Sequence, residues 1–159
     1  MEAKYLIFSI VFSLILFFNL AYGETIKGKP IIIDGDTVNI GNNKIRLHGI
    51  DAPETKQKCT KNNVEWNCGI QSTKFLEKLI GNEQIQCVTS GKDRYKRHIG
   101  ICYKNNIDLN AKMVINGWAI AYRYYSLDYI KEEEQARLNK IGIWSGEFIE
   151  PYLFRKKNK

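Results

Sequence analysis

The pattern of apolar and polar positions after residue 23 first predicts β-strands. A short apolar run at 29–33 precedes two alternating stretches, 37–40 and 44–50, which flank the residues Gly-Asn-Asn at 41–43. Glycine and asparagine supply the positive φ that a tight turn needs, so the two stretches predict a β-hairpin. Farther along, the stretches 84–89 and 98–103 predict two more strands, joined by a polar link.

The pattern then changes to helical spacing. Apolar positions at three- and four-residue intervals predict a helix over 69–80, which Gly81 ends. Asp108 can cap a second helix that runs to Asn116. A third helix is expected over 128–140, and its thin apolar stripe predicts a surface position. Five short strands, one inserted helix and a helical end predict a small closed barrel with about three helices, an α+β fold.

The first 23 residues differ from the rest of the chain. Lys4 precedes an apolar run over 5–20, and the segment closes on Ala21-Tyr22-Gly23, with small residues at the two positions that signal peptidase reads. We therefore expect a signal peptide at 1–23 and one exported domain at 24–159, periplasmic or secreted. The alternative is an uncleaved membrane anchor, because the apolar run approaches the ~20 residues that span a bilayer.

Export changes how the cysteines are interpreted. Cys59, Cys68, Cys87 and Cys102 form an even set, which in an oxidising compartment predicts disulfide bonds. A zinc site is the competing interpretation, but the chain has no close Cys-x-x-Cys pair and its two histidines lie far from any such pair. Four cysteines allow three pairings.

The chain carries a formal net charge of +7. A basic surface attracts polyanions such as nucleic acid, anionic membrane or acidic polysaccharide. The basic C-terminal residues 155–159, with the sequence RKKNK, are expected to be a solvated end.

Two aspartates should meet at the open end of the predicted hairpin. Asp36 lies at the start of its first strand and Asp51 at the end of its second. Ile45 and Leu47 alternate inward, which puts Arg46 on the opposite face, whereas Ile50 has the wrong parity for a regular strand. A bulge or bend at Gly49 would correct the parity and turn Asp51 to the side of Arg46.

Pro53 then directs the chain out of the sheet and carries Glu54 over the same site. Clustered carboxylates require a cation, and their hard oxygens suit calcium or magnesium. Together with the guanidinium fork of Arg46, a metal would form a phosphate site. The alternative is that Asp51 and Glu54 are surface turn acids paired with Arg46.

The motifs on these residues resemble a known family. The chain reads DGDTV at 34–38, RLHGIDAPET at 46–55, DRYKR at 93–97 and GIW at 142–144. In this order and combination they resemble the staphylococcal nuclease-like, or thermonuclease, family, and the cysteine pattern resembles its exported bacterial branch. The resemblance implies a five-stranded OB-fold barrel, a fold that binds nucleic acid strands.

The resemblance also implies residue roles. Calcium, the one cofactor implied, would be held by the side chains of Asp36 and Asp51 and by the main-chain carbonyl of Ala52, with Asp34 in the outer shell around the metal. Glu54 would act as the general base on water or would order it. Arg46 and Arg97 would hold the scissile phosphate. Arg94 and Tyr95 match residues near the other phosphate. Tyr122 and Tyr124 align with tyrosines that line the nucleotide pocket.

Some of these assignments have competing interpretations. Packing at the barrel edge explains the two tyrosines equally well. Lys96 and His98 depart from the family pattern around Arg97, where the added positive charge either favours a polyanion or tilts the arginine. A hairpin through residues 92–95 would set Cys87 opposite Cys102, which predicts that pair and leaves Cys59 to pair with Cys68.

The resulting hypothesis is an exported, calcium-dependent endonuclease that acts as a monomer. Its expected substrates are DNA and RNA, and no protein partner is implied. One alternative is a non-catalytic OB-fold module that only binds nucleic acid, which has no evident need for the complete set of acids and arginines. Another is a protein that binds acidic polysaccharide, for which the net charge is the only support.

Overall fold

The structure is a computed structural model that describes residues 23–158. The predicted signal peptide therefore lies outside the described residues except for Gly23. The strands are β1 (Thr25–Gly28), β2 (Pro30–Asp34), β3 (Thr37–Ile40), β4 (Asn43–Leu47), β5 (Ile50–Asp51), β6 (Cys59–Lys61), β7 (Val64–Trp66), β8 (Ile85–Lys92), β9 (His98–Lys104), β10 (Ile107–Asp108) and β11 (Ile120–Ala121). The helices are α1 (Cys68–Ile80), α2 (Leu109–Ile115), α3 (Ile130–Leu138) and α4 (Pro151–Lys157), with a 3₁₀ turn at Gly142–Ser145.

The main sheet curls until its two edges meet. Its strand order is β1-β8-β9-β4-β3-β2, and β10 adds to β9. The edge strands β1 and β2 are consecutive in the chain and are separated only by Lys29. The sheet therefore closes on itself through chain continuity, with β4 and β9 as its parallel pair.

The closed sheet corresponds to the five predicted strands. Pro30 lacks a backbone N–H and marks the break between β1 and β2. A second break separates β4 from β5, where Gly49 takes a φ of 72°. Counting β1–β2 and β4–β5 as two interrupted strands gives the five-stranded OB fold, and the predicted α+β class is confirmed.

The apolar core lies between the curled sheet and the first two helices. Val38, Ile45 and Leu47 face inward from the hairpin and belong to the same buried cluster as Leu76 of α1 and Met113 of α2. Asp108 caps α2 by accepting a hydrogen bond from the backbone N–H of Ala111, at 2.9 Å. The cap that the sequence predicted is therefore present. In residues 23–158, no helix is long and apolar enough to cross a membrane.

Both predicted disulfides are present. Cys59 is bonded to Cys68 and Cys87 to Cys102, and the structure contains no free cysteine among the described residues. Cys87 and Cys102 stand directly opposite each other on β8 and β9, as a cross-strand pair requires. The other bond joins the β6–β7 hairpin to the start of α1.

One prediction about the C-terminal third was wrong. The helix α3 does lie at the surface as predicted, although its Glu133 is 2% exposed and accepts hydrogen bonds from the backbone N–H of Ala121 and from Arg123. The basic end, however, is not simply solvated, because residues 151–157 form α4, which starts with a buried proline at its first position. Proline is favoured there because its missing N–H would have no helical partner.

Candidate active site

The two aspartates predicted to meet do so at the open end of the β3–β4 hairpin. Asp36 precedes β3 and is 2% exposed, whereas Asp51 ends β5 and is fully buried. Oδ2 of Asp36 accepts a hydrogen bond from the backbone N–H of Ala52, at 2.8 Å. The bend at Gly49 turns the end of the strand as expected, and the carboxylates converge on one side chain.

That side chain is Arg46, whose register partner on β3 is Thr37. Its Nη1 donates to Oδ1 of Asp36, and its Nη2 donates to Oδ1 of Asp51 at 2.6 Å. The guanidinium thus joins the two acids and is 15% exposed. Two of its five N–H donors are engaged, which leaves the others for an anion at the mouth of the site.

A second arginine in the site was not predicted from the sequence. Arg155 of α4 donates from Nη1 to Oδ1 of Asp51 at 2.9 Å and to Oε1 of Glu54 at 2.8 Å, and from Nη2 to Oδ2 of Asp51 at 3.0 Å. It therefore links Glu54 to the buried aspartate. The sequence signal that could have located α4 is Glu150-Pro151, a helix start, but nothing in the sequence relates the helix to residues 51–54.

A buried glutamine fixes the backbone of the loop that carries Glu54. The side chain of Gln57 is fully buried, and its Oε1 accepts from the backbone N–H of Glu54 at 3.2 Å. The backbone carbonyl of Glu54 in turn accepts from the N–H of Gln57 at 2.7 Å. Gly69 packs so closely on that carbonyl that a Cβ there would lie 1.7 Å from it. The backbone of Glu54 is thus fixed while its side chain remains one-third exposed.

Burial and mutual repulsion raise the pKa values of two acids of the site. Burial, and secondarily the negative charge of Asp36, raises the pKa of Asp34 to about 7. Burial also raises the pKa of Asp51, against which the hydrogen bond from Arg155 acts. Buried carboxylates behave in this way when the positive charge near them is insufficient. The site contains three carboxylates, those of Asp36, Asp51 and Glu54, and two guanidinium groups. One net negative charge therefore remains before Asp34 is counted.

These residues fit a hard cation. On Asp36 and Asp51 alike, Oδ1 accepts two donors and Oδ2 one, so each Oδ2 retains room for another partner. Oxygen ligands of this kind are those that calcium prefers. In the described part of the chain, no three His, Cys, Asp or Glu side chains are grouped to hold a metal ion. The predicted set needs only two such side chains and the carbonyl of Ala52.

Arg97 makes no hydrogen bond to the carboxylate cluster and lies just before β9. Ile99, two residues later, is the register partner of Arg46, so β9 begins beside the strand that carries Arg46. Its Nε and Nη2 both contact Oδ2 of Asp93 at 2.7 Å. Burial alone would raise the pKa of Asp93, but the hydrogen bonds from Arg97 outweigh it and lower the pKa. Asp93 thus holds Arg97 in place.

The other predicted substrate residues are exposed, except for Tyr122, which is half-buried. Tyr95 is 61% exposed, and the guanidinium groups of Arg94 and Arg97 lie 4.9 and 5.4 Å from the centre of its ring. Tyr122 follows β11 and forms an aromatic cluster with the more exposed Tyr124 and with Tyr125. Exposed rings of this kind can stack on bases. Neither group hydrogen-bonds to the carboxylates of the site, but Tyr122 lies close enough that, after the larger effect of burial, the negative charge of Asp51 helps to raise its pKa.

Comparison with known proteins gives the family. Residues 44–146 match the family model described as staphylococcal nuclease homologue. An "Uncharacterized endonuclease" of Haemophilus influenzae is 36% identical over 136 residues, which cover 80% of this chain and 71% of the relative. The "Micrococcal nuclease" of Shigella flexneri is 30% identical over 155 residues, covering 86% and 82%. The "Succinoglycan biosynthesis protein ExoI" of Rhizobium meliloti is 28% identical over 140 residues, covering 86% and 73%.

The chain belongs to the staphylococcal nuclease-like family. The matched range contains Arg46, Asp51, Glu54 and Arg97, whereas Asp36 precedes it and Arg155 follows it. Membership in this family supports a nuclease function, and the fold and the clustered carboxylates and arginines agree with it.

Proposed function

We propose that the chain is an exported, calcium-dependent nuclease that hydrolyses phosphodiester bonds in DNA and RNA with little sequence preference. The observation that carries the proposal is the joint binding of Asp36 and Asp51 by Arg46, with Glu54 attached to Asp51 through Arg155. A site that only binds nucleic acid needs positive charge and has no use for three gathered carboxylates. Relatives named as endonuclease and micrococcal nuclease support the same conclusion.

In this proposal each residue has one task. Asp36, Asp51 and the carbonyl of Ala52 would hold calcium, with Asp34 in the outer shell around it. When bound, calcium supplies positive charge against the charge that develops on the phosphate oxygens. The partly exposed carboxylate of Glu54 takes a proton from the attacking water, a contribution typically worth about 10²–10⁴-fold.

The arginines stabilise the phosphate. The free N–H donors of Arg46 bind two phosphate oxygens as a fork, because a guanidinium matches that spacing. Arg97, held by Asp93 just before β9, supplies a second cation. Arg94 and Tyr95 contact another phosphate or base of the strand, and Tyr122 and Tyr124 provide rings on which a base stacks. The chain acts alone, as a monomer.

Export belongs to the same proposal. The apolar segment and the small residues before position 24 support a cleaved signal peptide, and the two disulfides agree with an oxidising compartment. Sequencing the N-terminus of the protein recovered from the periplasm or culture medium tests this part. A chain that retains residues 1–23 would contradict cleavage.

The deciding experiment incubates the purified chain 24–159 with plasmid and with RNA, in calcium and in chelator. We expect both nucleic acids to be degraded in calcium and to remain intact in chelator. The Glu54→Gln variant, purified in parallel, controls for a contaminating nuclease. Tight binding of nucleic acid without any cleavage in calcium would instead favour the non-catalytic OB-fold module.

A further inference from the structure

Arg155 connects the C-terminal helix to the centre of the site. It lies 104 residues from Asp51 in the chain and contacts both oxygens of that carboxylate. The same Nη1 that reaches Asp51 also donates to Glu54. A guanidinium that binds a fully buried carboxylate through two bonds is well fixed, although its own side chain is 31% exposed.

The segment before α4 explains why the arginine reaches this place. Thr60 and Glu147 exchange two backbone hydrogen bonds, of 2.8 and 2.7 Å. Two residues later, the carbonyl of Ile149 accepts from Nε2 of Gln57 at 2.6 Å. Pro151 is buried at the start of α4. The C-terminal segment is therefore docked along the loop and hairpin that follow Glu54.

Gln57 hydrogen-bonds both to the loop that carries Glu54 and to the segment that precedes α4. Its Oε1 accepts from the backbone N–H of Glu54, and its Nε2 donates to Ile149 in the C-terminal segment. Because the side chain is fully buried, both of its polar atoms need these partners. Glu54 and Arg155 are consequently held relative to each other twice, once through Gln57 and once through their own ion pair.

We propose that Arg155 is a positioning residue that orients the carboxylate of Glu54 for proton abstraction and balances the charge of Asp51. The inference rests on the proposed nuclease function. The hydrogen bond engages Oε1 of Glu54, which leaves Oε2 to accept the proton from water. Arg155 lies beyond residue 146, where the match to the family model ends, so the match itself does not assign this role.

The proposal predicts two effects of opposite sign. Without Arg155 the carboxylate of Glu54 loses its fixed orientation, and misplacement of a catalytic group can cost about 10²-fold in rate. Arg155 is also a cation on the carboxylate that would bind calcium, so its removal strengthens calcium binding. A variant that was merely damaged would lose both properties together.

The experiment compares Arg155→Ala, Arg155→Lys and a matched control, Lys156→Ala, which removes a neighbouring exposed charge from the same helix. The rate constant kcat is measured on plasmid, and calcium affinity is measured by isothermal titration calorimetry without nucleic acid. We expect Arg155→Ala to lower kcat by about 10²-fold while binding calcium several-fold more tightly. Arg155→Lys should retain wild-type calcium affinity, but it should keep a low kcat because one amine cannot reproduce the three contacts. The control should match wild type in both.

Three results would overturn the proposal. If kcat of both Arg155 variants equals that of the control while wild type cuts, only the role of Arg155 is wrong. The lysine variant keeps the positive charge and can be measured even if the alanine variant does not fold. If kcat and calcium affinity fall together in Arg155→Lys, Arg155 supports the fold rather than the orientation of Glu54. A wild-type chain that does not cut nucleic acid contradicts the nuclease function itself.

Discussion

At the scale of single residues, the site depends on how many donors each guanidinium has. Arg46 uses two N–H groups on Asp36 and Asp51 and retains three others, with which it can bind two phosphate oxygens. A lysine at this position would retain only one donor and would lack the fork. We therefore expect Arg46→Lys to lower kcat by about 10²–10³-fold, the range seen when one preorganised donor to a transition state is removed. Steady-state kinetics on plasmid measure this. A wild-type rate in this variant would exclude Arg46 from phosphate stabilisation.

Replacement of Glu54 should lower turnover without weakening nucleic-acid binding. Glu54→Gln keeps the size and an acceptor oxygen but removes the basic carboxylate, so kcat should fall by about 10²–10⁴-fold. Affinity for an oligonucleotide should be almost unchanged, because the proposal assigns Glu54 to the attacking water and gives it no contact that holds the phosphate. Fluorescence anisotropy in chelator measures the affinity, and circular dichroism verifies the fold. Normal turnover by Glu54→Gln would place the general base elsewhere.

Arg97 should affect binding as well as turnover. Held by Asp93 just before β9, which pairs with the strand that carries Arg46, it would contact phosphate both before and during the reaction. We expect Arg97→Ala to raise KM and lower kcat together, since the lost interaction is present in both states. The control is Arg137→Ala, which removes an arginine on α3 that is 57% exposed. Unchanged KM in Arg97→Ala would contradict substrate contact in the ground state.

At the scale of elements, the two disulfides should differ in what they support. Their partners are 9 and 15 residues apart, so each should stabilise the fold by roughly 3 kcal/mol through restriction of the unfolded chain. The Cys59–Cys68 bond also anchors the hairpin on which the C-terminal segment docks. We expect its replacement by two serines to lower both thermal stability and kcat, whereas replacing Cys87 and Cys102 lowers stability alone. Equal losses of kcat would contradict a role for the hairpin in the site.

At the scale of elements, the sequence predicts contacts within one hairpin but not contacts between elements that are distant in the chain. The meeting of Asp36 and Asp51 followed from a hairpin with a bend at Gly49, because strand alternation and turn chemistry act over a few residues. The contact of Arg155 with Asp51 spans 104 residues and depends on how α4 docks. No local pattern encodes that docking, and a run of basic residues at a chain end looks the same whether or not one of them is bound. Glu133 was missed for a similar reason, since its partners lie on β11 and beyond.

At the scale of the whole molecule, the net charge of +7 should make nucleic-acid binding strongly salt-dependent. Exposed lysines flank the site in sequence: Lys56 follows Glu54, and Lys96 precedes Arg97. On the Glu54→Gln background, which prevents turnover, the logarithm of affinity for single-stranded DNA should fall linearly with the logarithm of salt concentration. If each lysine contacts one phosphate, Lys56→Ala and Lys96→Ala should each reduce the slope by about 0.7.

The matched control for this measurement is Lys78→Ala. Lys78 is exposed in the last turn of α1, nine residues from the Gly69 that packs on Glu54, which is about 13 Å along the helix. A charge at that distance lies beyond the ~8–10 Å screening length at moderate salt, so the slope should remain that of wild type. If all three variants reduced the slope equally, the positive charge would act as a diffuse attraction over the whole surface. A smaller slope in Lys56→Ala and Lys96→Ala alone would mean that the strand follows a track past Glu54 and Arg97.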